Sequence, residues 1–85
     1  MDRFFFHLHD RIGLLEDHEG INCATLVEAR ARAIDTARDV MIGELRKGCL
    51  NLAWYILITD ERGEVAAQVP FREAVTLSGV TEEQN

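Results

Sequence analysis

Side-chain alternation is clearest at the two ends of the chain, and a helical period fills the middle. Residues 3–9, Arg3-Phe4-Phe5-Phe6-His7-Leu8-His9, read as a strand. Phe4, Phe6 and Leu8 then point to one side, and Phe5, His7 and His9 to the other. Asp10-Arg11 followed by Gly13 marks a turn, and Leu14-Leu15 seeds a short second strand over 13–16. Asp17-His18-Glu19-Gly20 is a polar loop closed by glycine. Over 25–47 the period changes to that of a helix: Leu26, Ala33, Ala37, Met41 and Leu45 form a stripe, widened by Ile34 and Val40. Thr25 and Glu28 stand at capping-box spacing. Arg46 and Lys47 suit the negative end of the helix dipole, and Gly48 is a natural stop.

A third strand is predicted over 52–59, rich in aromatic and β-branched residues, and a returning strand over 64–69. Asp60-Glu61-Arg62-Gly63 links them as a hairpin turn. Pro70 cannot donate to a ladder, so it ends the last strand or lies on a sheet edge. Residues 71–77 have room for one helical turn, and 78–85 read as a flexible acidic tail beyond a single domain at 1–77. The order β-β-α-β-β predicts a two-layer α+β fold, with one long helix over a four-stranded, mostly antiparallel sheet. Trp54, Ile56, Ile58, Val65, Ala67 and Val69 are expected under the helix. Phe5, His7, His9, Tyr55, Leu57 and Gln68 are expected on the other face, which no element covers. A partly apolar, uncovered face is the usual mark of an interface.

Composition narrows the function classes. With 85 residues, 47% of them hydrophobic, the chain has one small core. Fifteen acidic against nine basic residues give a net charge of −6, which counts against binding a nucleic-acid backbone. Phe5, Trp54 and Tyr55 could form an aromatic platform for RNA, but the third strand has no basic companion. No apolar run is long enough to span a membrane, and the start turns polar too early for a secretory signal. Two cysteines make no disulfide framework, and Cys23 and Cys49 fall at opposite ends of the helix, where both read as small hydrophobes. A cytoplasmic protein is the expectation.

Several of these segments together resemble a family of short bacterial proteins known only as a domain of unknown function. The resemblance rests on Arg3-Phe4-Phe5-Phe6-His7-Leu8, Gly13-Leu14, Asp17-His18-Glu19-Gly20, the Ala-rich helix start at 26–33, Ile58-Thr59-Asp60-Glu61-Arg62-Gly63 and Val69-Pro70-Phe71. It spans residues 3–75 and implies no activity, cofactor or catalytic residue. His9 departs from it, standing where such a start has a basic residue. A looser similarity, in the strand pair, the acidic-Gly turn and Thr25-Leu26-Val27-Glu28-Ala29, is to HicB-type antitoxin domains; it implies a toxin partner.

The chemistry on offer is thin. His7, His9 and His18 are candidate metal ligands, with Asp17, Glu19 and Cys23 nearby, but their spacing follows no metal-binding pattern. Asp10, Glu16, Asp17 and Glu19 could supply a general acid and base if one were buried, yet turn chemistry already accounts for Asp17-x-Glu19-Gly20. Ser78 is the only serine, and no phosphate-binding loop or nucleophile elbow occurs. The expectation is a non-enzymatic binding protein without a cofactor. It would act as a homodimer or on a protein partner, through Phe5, His7, Tyr55 and Leu57 or through an edge strand. An antitoxin-like module holding a basic protein and a small metal- or ligand-binding protein are the alternatives.

Overall fold

In the computed structural model, which describes residues 2–79, the first strand runs over Asp2–His9 (β1). Asp10 turns the chain: its carboxylate accepts from the backbone N–H groups of Ile12 and Gly13 at 2.9 and 3.2 Å. The returning segment pairs with β1 twice. Leu14–Leu15 (β2) pairs antiparallel with Leu8 and His9, and Ile21–Cys23 (β3) pairs antiparallel with Asp2, Arg3 and Phe4.

The helix α1 spans Leu26–Arg46. Thr25 caps it, its hydroxyl accepting from the Glu28 N–H at 3.1 Å. Glu28 reaches back past the cap to the Ala24 N–H at 2.7 Å. At the far end the Gly48 and Cys49 N–H groups bond the Leu45 and Glu44 carbonyls, a Schellman ending. Tyr55–Thr59 (β4) and Val65–Pro70 (β5) form the second hairpin, and a 3-10 turn, Phe71–Ala74, follows.

The two hairpins lie side by side in the order β2-β1-β4-β5, all antiparallel. Helix and sheet form the two layers expected from the sequence. The sheet has five strands rather than four, because Ile21–Cys23 also joins it. Three residues are too few to show an alternation, so nothing in the pattern marks them as a strand.

The core lies between α1 and one sheet face. Ala29, Ala33, Ala37 and Met41 bury the helix side; Phe4, Ile56, Ile58 and Val69 bury the sheet side. Small alanines bring the helix close to the strands, and Phe6, Leu8 and Trp54 pack at the margin. Leu26 and Leu45, expected in the buried stripe, are exposed. The buried helix positions run only from Ala29 to Met41, so Leu26 and Leu45 lie about one turn beyond them at either end.

Val65 is a second correction. Expected under the helix, it is 62% exposed. The ladder slips by one residue between Ile58 and Thr59, so Ile58 pairs with Ala67 while Thr59 pairs with Val65. Ala66 and Ala67 both lean on the core, and Val65 turns to the opposite face.

Among the described residues no helix is long and apolar enough to cross a membrane. The acidic tail expected over 78–85 lies, from residue 80 onward, outside the described residues.

Candidate functional site

With the helix on one side, the other sheet face remains open. Cross-strand register sets Phe5 opposite Thr59, His7 opposite Leu57 and His9 opposite Tyr55, so these six side chains share it. Gln68, opposite Leu57, and Val65, opposite Thr59, extend it over β5. The loop 16–20 and the β4–β5 turn border a groove whose floor is Phe5, Leu14, Leu57 and Val65. Phe5, His7 and Leu57 therefore stand together as the sequence implied. Tyr55 lies at the far end of the face, its ring stacked on His9 at 4.7 Å and 10°.

Asp17 organises one wall of the groove. β2 pairs with Leu8 and β3 with Phe4, which leaves Phe6 between them. The Phe6 N–H donates instead to Asp17 Oδ2 at 3.1 Å. The other carboxylate oxygen accepts from the Glu19 and Gly20 N–H groups at 3.0 and 3.2 Å, the turn expected of Asp-x-Glu-Gly. Asp17 thus takes the place of a missing strand residue and closes its own loop.

Burial by itself would raise the Asp17 pKa. The backbone donors of Phe6, Glu19 and Gly20, with His7 close by, outweigh that and hold it below the ordinary aspartate value. A depressed folded-state pKa means stability that is present above about pH 4 and lost as the pH falls through the folded value. Asp17→Asn sets an amide donor against the Phe6 N–H and is expected to cost about 2 kcal/mol at neutral pH. Urea unfolding between neutral pH and about pH 3 checks this: the gap between wild type and variant narrows in acid. A gap unchanged across that range would show that the Asp17 charge is not what holds the loop.

His7 is occupied at both ring nitrogens. The Asp17 backbone N–H donates to Nδ1 at 3.0 Å, so Nδ1 carries no proton in this arrangement. The ring proton is then on Nε2, which donates to Thr59 Oγ1 at 2.9 Å. Thr59 is buried, and His7 is placed to donate to its hydroxyl rather than to withdraw its proton. This is a structural link between β1, β4 and the loop. It has the opposite polarity to a base that activates a nucleophile.

The three histidines do not converge. His7 is engaged as described, and His9 lies flat against Tyr55. His18 is exposed on the loop, 3.8 Å from Glu16. Among the described residues no group of three or more His, Cys, Asp and Glu side chains is placed to hold a metal ion. Both cysteines are free thiols. Cys23 is a core residue, but Cys49, also expected to act as a small hydrophobe, is exposed because it belongs to the turn that ends α1.

Thr59, Val65 and Leu14 are the members of this face that the sequence did not bring forward. Thr59 had a signal: a period of two from Tyr55 and Leu57 sets it on their face. Val65 had none, since a one-residue slip leaves no mark in the pattern.

Comparison with known proteins adds one relationship. No curated protein and no solved structure matches the chain. Residues 3–72 match the model of a family described as Domain of unknown function (DUF6894), in line with the resemblance read from the sequence. That stretch is most of the 85 residues, and the chain belongs to the DUF6894 family.

Proposed function

We propose that this protein is a non-enzymatic binding module whose contact surface for other proteins is the open sheet face. One observation carries the reading: a single helix covers one side of the sheet, and Phe5, Leu14, Leu57 and Val65 line a groove on the other. The His7–Thr59 pair supports the non-enzymatic part, because its donor direction suits structure rather than proton abstraction. Two unpaired cysteines fit a reducing, cytoplasmic setting.

A photo-crosslinking residue placed at Val65 tests the reading in cells that make the protein, with the same residue at Asp35 on the outer helix surface as control. A discrete protein adduct at position 65 and none at 35 is the expected result. Equal labelling at both positions, or none at 65, removes the open face as the contact surface.

A second reading is a homodimer formed through the β5 edge. β5 is the outer strand of the sheet and carries Val65-Ala66-Ala67-Gln68-Val69, a run with no charge to discourage strand pairing. An adduct containing two copies of the chain favours that reading. An adduct with a different protein favours a heterologous partner, of which a toxin held by an antitoxin-like module would be one case.

A further inference from the structure

The side chains lining the groove carry an excess of negative charge. Glu16 and Asp17 line it from the loop after β2, and Asp60 and Glu61 line it from the β4–β5 turn. Among the described residues no lysine or arginine lines it, while Arg3 and Arg62 share a neighbouring hollow with Asp60 and Glu61. Other parts of the surface place cations beside carboxylates: Arg30 lies 3.0 Å from Glu73, Arg38 3.8 Å from Asp35, and Lys47 3.5 Å from Glu44. At the groove His18 lies 3.8 Å from Glu16. His7 has its nitrogens committed to Asp17 and Thr59. Asp17 and Asp60 direct their oxygens to backbone N–H groups, which holds those charges in place at the border.

An apolar floor between two fixed acidic walls selects its occupant by charge. A second copy packed face to face would bring carboxylates against carboxylates, which opposes association. A segment with an apolar side chain flanked by lysine or arginine meets both features at once. We infer that the groove between the 16–20 loop and the β4–β5 turn binds a basic segment of another protein. Its apolar anchor sits on Phe5 and Leu57, and its cations face Glu16 and Glu61. The inference rests on the reading of the open face as a contact surface and adds the chemistry of the partner.

The test uses the full chain, labelled with ¹⁵N, and two synthetic peptides with the same apolar residues. In one the flanking positions are lysine and arginine; in the other they are glutamate and aspartate. The basic peptide is expected to shift the amide signals of Phe5, Leu57 and Val65 and to bind at least about tenfold tighter than the acidic one at low salt. Raising the salt from ~20 mM to ~500 mM should remove most of that difference, since the walls are exposed to solvent. In the double variant Glu16→Lys, Glu61→Lys, which alters side chains that carry no backbone contact of the fold and leaves two acidic against two basic groups at the border, the preference should be lost.

Equal binding of both peptides in the groove overturns the charge inference and leaves the open face intact as a contact surface. Shifts confined to other surfaces, or none with either peptide, overturn both. A preference for the basic peptide that survives in the double variant places the recognition elsewhere and overturns the inference.

Discussion

Phe71→Ala is expected to lower the unfolding free energy by about 4 kcal/mol, the cost of emptying a fully buried aromatic site. Phe71 begins the 3-10 turn after β5 and is 0% exposed. Its ring meets Trp54 edge-on, with centroids 6.0 Å apart and planes at 69°, and its N–H donates to the Trp54 carbonyl at 2.8 Å. The same turn is tied to the helix at two further points. Arg30 pairs with Glu73, and Arg38 Nε donates to the Ala74 carbonyl at 2.7 Å. Losing the ring therefore opens a cavity where the helix, the segment before β4 and the end of β5 converge. For a small domain with a total stability of about 5–10 kcal/mol, that is a large fraction.

Urea unfolding followed by Trp54 fluorescence reads the change directly. The midpoint should fall by about 2 M at an ordinary urea slope, and native emission should move to the red as Trp54 loses its partner. Phe71→Leu keeps most of the volume and should lose less than half as much. A Phe71→Ala loss below about 1 kcal/mol would mean that the turn contributes little to the core.

Gly20→Ala is the second large effect, expected at about 3 kcal/mol from backbone strain and crowding together. Gly20 has φ +71°, in the left-handed region, where a side chain costs roughly 1–2 kcal/mol. Space is the greater difficulty. A Cβ there would sit 2.8 Å from the Phe4 carbonyl oxygen and 2.9 Å from both Arg3 Cγ and Phe5 Cε2. The Phe4 oxygen belongs to β1 and cannot move without disturbing the pairing with β3. Displacement of residue 20 would also pull on the Gly20 N–H bond to Asp17, and so on the wall that Asp17 holds at His7.

Gly63 provides the control, with φ +82° and no atom within 4 Å of the position a Cβ would take. Gly63→Ala should cost only the backbone strain, about 1 kcal/mol. Equal losses for the two substitutions would show that strain alone, and not the close approach to β1, makes residue 20 a glycine. Amide hydrogen exchange separates the two further. Protection at Phe6, whose N–H bonds Asp17, should fall in Gly20→Ala and stay unchanged in Gly63→Ala.

The parts of the fold that repeat locally were legible in the sequence. A strand shows two side-chain directions over a handful of residues, so β1, β4 and β5 were placed, as were the residues that share the open face. The helix carried its own boundary signals at Thr25, Glu28 and Gly48, and it begins and ends where they stand. The Asp17 turn was readable for the same reason, because an aspartate two and three residues before free backbone donors needs no distant partner.

What depended on contacts across the chain was not legible. Phe71 sits beyond a proline with no period to assign it, and only the Trp54 segment shows that it is core. Leu26 and Leu45 have the spacing of buried residues, but they lie about one turn beyond the stretch Ala29 to Met41 that is packed over, a limit the helix's own pattern does not carry. Val65 faces the groove because the ladder slips beside Thr59, and the reach of Asp17 to Phe6 and His7 spans ten or more positions. The sequence by itself determined the α+β class, the long capped helix, the hairpins and the uncovered face, since each follows from periodicity, capping or turn chemistry within a few residues. Only the tertiary structure decided the order of the hairpins, the fifth strand and the acidic border of the groove, because register and loop placement arise from pairings between residues far apart in the chain.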